Sequence, residues 1–328
     1  MENIKKFLRS TVAGPLVAFL LVVILVSLTT PRFLQVRNLS NVSLQVATVA
    51  MVSIGATLVI LTGGIDLSPG STVALVTCSL AILVKNLGLP LPVGIILVLL
   101  LGVVCGFING FFSAYGKIPS FIVTLATMSI YRGFAFLITN STPIFSVSPQ
   151  LEMIFYGKLF NIPLPFYYVI ILYVIAAIFL RHTVLGRSIY AVGGNESAAK
   201  LTGISVNKTR MMAFIIAGLS ASIGGVLLTA WLNSGSPNYG MELGLQSIAA
   251  AVIGGASLTG GIGSMLATLV GALTVAVVQN GLNLNAVPAS WQEITLGIVI
   301  VLAVGLDMWK SDVGSAIGRR LRDMKKER

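Results

Sequence analysis

The stretch Leu243–Gln292 runs for 50 residues without a single charged side chain. As one straight helix it would reach about 75 Å, more than twice the roughly 30 Å hydrocarbon core of a bilayer, so it has to fold back on itself. We read two crossings in it, broken at the glycine-rich segment Gly254–Gly263, because glycine ends helices and tolerates irregular backbone. Six further uncharged runs, Thr11–Thr30, Asn38–Ile65, Leu67–Val84, Asn86–Gly116, Leu159–Leu180 and Met211–Met241, are each long enough to hold one crossing. Lys117–Ile138 adds another around a lone Arg132, and Trp291–Trp309 is bracketed by tryptophans of the kind favoured at the lipid interface. The expected fold is therefore all-α, a single polytopic membrane domain over residues 1–328 with about ten transmembrane helices.

Composition agrees with lipid as the solvent. Only 9% of the 328 residues are charged and 56% are hydrophobic, too little polarity to cover a soluble globule of this length. The net charge of +11 raises the question of nucleic acid, but basic residues scattered between apolar runs orient a membrane protein instead. With the amino terminus inside, 16 of the 21 Lys and Arg fall on the cytoplasmic side, which predicts both termini cytoplasmic, a cytoplasmic loop over 181–210 and a basic cytoplasmic tail over 310–328 that meets anionic lipid heads. Thr11–Thr30 has no cleavage site behind it and reads as a retained first helix. Cys78 and Cys105 lie in apolar runs at no metal-ligand spacing and read as inert packing residues.

Few segments carry chemistry. In Thr62–Ser71 the glycines Gly63 and Gly64 can close one helix, while Ser68 is placed to cap and Pro69 to open the next. Asp66 in this break has two readings: a carboxylate favouring the following helix dipole, or a group acting in gating or partner contact. Gly102, Gly106, Gly110 and Ala114 stand four apart, the small-residue stripe that lets membrane helices approach closely. Beside it, Asn109, with Thr124 and Thr127 on the next helix, suits either a polar translocation path or interhelical hydrogen bonds.

Glu196–Ile204 in the cytoplasmic loop is a short helix started by Gly193, Gly194 and Asn195 and ended by Gly203. Its Glu196, Ala198, Ala199 and Leu201 suit docking in a partner's groove better than a solvated connector, which needs no apolar Leu201 or Ile204. The tetrapeptide Thr-Gly-Gly-Ile recurs at Thr62–Ile65 and Thr259–Ile262, each time at an expected inner helix end. Gly110–Ile118 fails as a phosphate-binding loop, with five residues between its glycines and no Ser or Thr after Lys117. His182, the single histidine, has no acid or cysteine nearby to form a nucleophilic or metal set.

Four stretches resemble the membrane permease subunit of ribose-type and related simple-sugar ABC importers: Leu61–Ser71 (LTGGIDLSPGS), Lys117–Gly133, Gly186–Lys208 (GRSIYAVGGNESAAKLTGISVNK) and Ile248–Gly263 (IAAAVIGGASLTGGIG). The resemblance implies a ten-helix permease in a bacterial inner membrane that binds no cofactor, has no ATPase of its own and pairs with a second permease. It also implies a separate ATPase subunit as the site of ATP hydrolysis, contacted through Glu196–Gly203, and an extracytoplasmic binding protein that delivers a monosaccharide. A competing class is an ion-coupled secondary transporter, for which Asp66, Glu293 and Asp307 are the available acids; a membrane enzyme is disfavoured because no catalytic set clusters.

Overall fold

The computed structural model describes residues 12–302, 304 and 305. The expected basic tail over 310–328, Asp307 and Trp309 lie outside them. The chain is almost wholly helical: α1 (Ala13–Thr29), α2 (Val36–Leu61), α3 (Pro69–Ala81, continued by a π-helical turn Ile82–Asn86), α4 (Leu91–Ala114), α5 (Ser120–Ile138), α6 (Pro149–Tyr156), α7 (Leu164–His182), α8 (Val184–Gly194), α9 (Glu196–Leu201), α10 (Val206–Leu232), α11 (Leu243–Ile253), α12 (Met265–Leu284) and α13 (Ala289–Leu302). Seven of these, counting α3 with its π turn, are long and apolar enough to cross a membrane: α2, α3, α4, α5, α7, α10 and α12. The apolar helices α1, α11 and α13 are shorter. Leu243–Gln292 does fold back at its glycines, but its first arm, α11, has 11 residues and reaches only about 16 Å, half a bilayer core.

Helix α2 is the axis of the bundle. From Val46 to Leu61 every one of its residues is buried, and α10, α11, α12 and α7 pack around it. A helix apolar all round has no solvated face to present, so it sits inside. Helices α4, α5 and α7 are enclosed on one side only and turn large side chains such as Leu100, Phe134 and Ile175 outward, as a lipid-facing shell does.

The glycine stripe carries the longest helix contact. Along α4, Gly102 faces Ser222, Gly106 faces Phe214 and Ile215, and Gly110 faces Met211, all on α10; a Cβ on Gly110 would stand 2.9 Å from the Met211 Cα. The stripe thus has the packing role its spacing implies.

The segment between α5 and α7 takes part in two small antiparallel pairs, one of them with the strand that follows α10. Strand β1 (Ile144–Phe145) pairs with β4 (Ser234–Gly235), in register Ile144 to Gly235, and β2 (Lys158–Leu159) pairs with β3 (Ile162–Pro163). Asn233, left-handed at the end of α10, accepts from the Ser148 amide on its side chain and from the Val147 amide on its carbonyl, tying this segment to the helix end.

Candidate functional site: a cavity, a helix break and a loop helix

Two turns and one loop that lie far apart in sequence meet at one end of the bundle. The α2–α3 turn, the α11–α12 turn and the end of α8 bring Gly63, Gly193, Gly194, Gly260 and Gly261 together. The Gly261 amide donates to the Leu61 carbonyl at 3.0 Å. Gly193 sits against that same carbonyl, and a Cβ on it would also lie 2.5 Å from the Gly261 nitrogen. A Cβ on Gly260 would stand 2.9 Å from both the Gly193 oxygen and the Gly63 nitrogen. Backbone meets backbone here because no side chain intervenes, and Gly63, Gly260 and Gly261 also hold positive φ, which glycine alone adopts freely. The two Thr-Gly-Gly-Ile segments are therefore neighbours in space, with the end of α8 wedged between them.

The loop helix α9 starts at Asn195 and stops at Gly203 as expected, whereas Gly193 and Gly194 are the last residues of α8 and do not open α9. The Asn195 side chain accepts from the Ala198 amide at 3.0 Å, and Gly203, at φ +81°, closes the helix. Glu196 accepts from Lys200 at 2.5 Å and from Arg210 on α10 at 2.7 Å; the Lys200 hydrogen bond, with Arg210 behind it, holds its carboxyl below the ordinary carboxylate range. Ala198 is exposed and Leu201 is 89% exposed, whereas Ala199 is buried against Val192 and Val206. Ala199 thus packs within the chain and Leu201 projects from it.

The break between α2 and α3 differs from the expected cap. Ser68 makes no capping bond. Asp66 instead holds the turn ahead of the helix. Its Oδ1 accepts from the Ser68 amide at 2.9 Å and from the Ser68 hydroxyl at 2.7 Å, a carboxylate-centred turn that leads into Pro69. Asn109 donates to the Ser68 Oγ at 2.8 Å and accepts from Thr127 at 2.7 Å, while Thr124 bonds to the Ile65 and Ser120 carbonyls. Gly64 packs on Val59 and lies near the Ser120 hydroxyl, which accepts from the Ile65 amide. Asp66, Ser68, Asn109, Thr124 and Thr127 are all buried, and together they staple the break to α4 and α5. Among the described residues no ion pair reaches Asp66, and Arg132 of α5 instead donates to the Pro237 and Tyr239 carbonyls.

A cavity of about 680 Å³ opens at the opposite end, where α2 and α13 begin and α10 and α12 end. Helix α2 lines it with Gln45 and Thr48, α10 with Trp231, the segment entering α11 with Glu242 and Gln246, α12 with Gln279 and Asn283, and α13 with Glu293. Asn109, Thr124 and Thr127 are not among its lining residues. Sequence reasoning missed the amides that are; the readable signal was a set of glutamines embedded in apolar runs near helix ends, where an uncharged polar side chain is costly unless it faces water or a partner.

No cluster of three or more His, Cys, Asp or Glu side chains suited to a metal occurs among the described residues. No solved structure matches the chain. Curated relatives do. The ribose import permease RbsC of Bacillus subtilis (strain 168) is 40% identical over 300 residues, 91% of this chain and 93% of that protein. RbsC of Escherichia coli (strain K12) is 40% identical over 296 residues, 89% of this chain and 92% of that protein. The xylose transport system permease XylH of Haemophilus influenzae is 34% identical, covering 84% of this chain and 90% of that protein. Residues 38–304, which hold all of the bundle but α1 and the start of α2, the glycine junction and the whole cavity wall, match the family described as branched-chain amino acid transport system / permease component, and the chain belongs to that family.

Proposed function

We propose that this chain is the permease subunit of an ATP-driven sugar importer in a bacterial inner membrane. The observation that carries the proposal is near full-length likeness to ribose and xylose import permeases. Ten crossings result when α1 and α13 join the seven long helices and α11, a half-span by itself, completes its crossing with the segment 233–242 ahead of it. Both termini and the 181–210 loop then face the cytoplasm, so the cavity opens outward, where a sugar-loaded binding protein docks, and α9 faces inward.

Work from ATP reaches the chain through a separate ATPase subunit that seats α9. Leu201 is the anchor, with Ala198 and Gly203 at the contact, while Glu196 and Ala199 hold the helix to α10 and α8. Motion of α9 passes through the glycine junction into the turns at Gly63 and Gly261, and so to α2, α3, α11 and α12, three of which line the cavity. Asp66, Ser68, Asn109, Thr124 and Thr127 keep the α2–α3 break rigid against α4 and α5 during that motion. A second permease copy or paralogue completes the path.

Leu201→Asp tests the docking. Losing a buried apolar anchor and adding a charge costs the contact about 2–4 kcal/mol, or roughly 30-fold or more in affinity. The variant is expected to reach the membrane at normal abundance, to lose the ATPase subunit on detergent extraction and to stop sugar uptake; undiminished ATPase retention and uptake would overturn the assignment.

A further inference from the structure

The cavity contains polar groups that the fold does not use. Thr48 is 2% exposed, and its Oγ1 has no hydrogen-bond partner. The side-chain amides of Gln45 and Gln279 bond to no other described residue. Gln246, 4% exposed, donates through Nε2 to Glu242 at 3.0 Å, which leaves its carbonyl oxygen as an acceptor. A buried hydroxyl without a partner is costly in a folded protein and is rarely retained unless something bonds to it. The Gln45, Gln246 and Gln279 amides line one cavity from three different helices, and Thr48 lies in the same wall with its hydroxyl closed off behind it.

We infer that Gln45, Gln246 and Gln279, with Thr48 behind them, form a selectivity subsite in the permease itself that receives the hydroxyl groups of a neutral sugar on its way through. This rests on the importer reading above and deepens it. Carboxamides donate and accept without net charge, the complement of a polyol whose every hydroxyl does both. Trp231 in the same wall offers an apolar surface beside these polar groups. Among the described residues the charged side chains on the wall are Glu242 and Glu293, which repel an anionic solute. An aliphatic amino acid would also be disfavoured: its side chain would desolvate the amides and leave them unpaired. Specificity is therefore applied a second time, after the binding protein has released its cargo.

The test uses the whole importer in proteoliposomes: this permease with its ATPase, and binding protein loaded with radiolabelled ribose. Gln45→Leu, at a half-buried position, nearly keeps the side-chain volume and removes only an amide that bonds to no other described residue, so thermal stability should hold or rise. Gln279→Leu, at a half-buried position, is the second variant. For each, ribose uptake should fall about fivefold or more, the effect of one lost hydrogen bond, while ATP hydrolysis stimulated by the loaded binding protein stays at the unsubstituted level, so fewer sugars move per ATP. Unsubstituted uptake in both variants overturns the subsite and leaves the importer reading intact, as does an equal fall in uptake and ATP hydrolysis. Absence of ATP-dependent ribose uptake by the unsubstituted complex overturns both.

Discussion

Gly193 and Gly194 are adjacent in sequence, and alanine at the two positions should have opposite consequences. A methyl on Gly193 would collide with the Leu61 carbonyl oxygen and stand 2.5 Å from the Gly261 nitrogen, whereas a methyl on Gly194 meets nothing within 4 Å. To bring the nearer of these contacts, the Leu61 carbonyl oxygen, out to an ordinary spacing of about 3.5 Å the two backbones beside Gly193 must part by more than about 1.5 Å. That opens the 3.0 Å bond from Gly261 to Leu61. The lost bond costs about 1 kcal/mol and the overpacking about 1–3 kcal/mol, so Gly193→Ala should destabilise by about 2–4 kcal/mol. Gly194→Ala should stay within about 0.5 kcal/mol of the parent. Thermal unfolding of the detergent-solubilised chain, followed by tryptophan fluorescence, reads the first effect. ATP-driven uptake by the reconstituted importer reads the second, because a wedged-open junction cannot pass the movement of α9 to the turns. Equal melting temperatures and equal uptake in the two variants would refute the junction as both a packing and a coupling element.

Asn109→Leu removes the hub joining Ser68, Thr127 and Tyr131 and should cost about 2–3 kcal/mol, whereas Asp66→Asn keeps an acceptor for the Ser68 hydroxyl and should cost under about 1 kcal/mol. A larger loss of thermal stability from Asp66→Asn would show that the charge matters more than the turn. Glu196, whose pKa is depressed by Lys200 and Arg210, adds stability above its ordinary value of 4.5 that is lost as pH falls through the depressed value. The pair is largely solvated, so Glu196→Gln should flatten a shallow slope in thermal stability on the acid side of pH 4.5, and an unchanged slope would remove Glu196 as its source. In a background with Cys78 and Cys105 replaced by serine, Ser197→Cys should resist a membrane-impermeant thiol reagent in intact cells; labelling from outside would invert the topology.

The membrane class, the glycine stripe and both ends of α9 were legible because each depends on local signals: run length, four-residue spacing and capping residues. Orientation within α9 was also within reach. Residues two apart on a helix lie about 200° apart, so Ala199 and Leu201 had to face opposite ways. The part played by Asp66 was harder to read, because only the backbone path decides that its carboxylate turns to the Ser68 amide and that the Ser68 hydroxyl turns back to it and away from the first turn of α3. The glycine junction and the amide-lined cavity were out of reach of spacing arguments. Gly63, Gly193 and Gly261 are separated by more than sixty residues at each step, and nothing in a glycine's own neighbourhood says which distant backbone it admits.

The junction also sets a rule for exchanging parts between importers. Surfaces on α9 that meet another protein can be swapped residue by residue, since exposed side chains adjust one at a time. The 181–210 loop as a unit is different: it enters the bundle through a slot with no room for a side chain at Gly193 and with the bare turns at Gly63 and Gly261 as its walls. A chimera that imports the loop of another permease should work only when the donor supplies glycine at that entry point, and its ATPase preference should then travel with the loop while its cargo stays with the host.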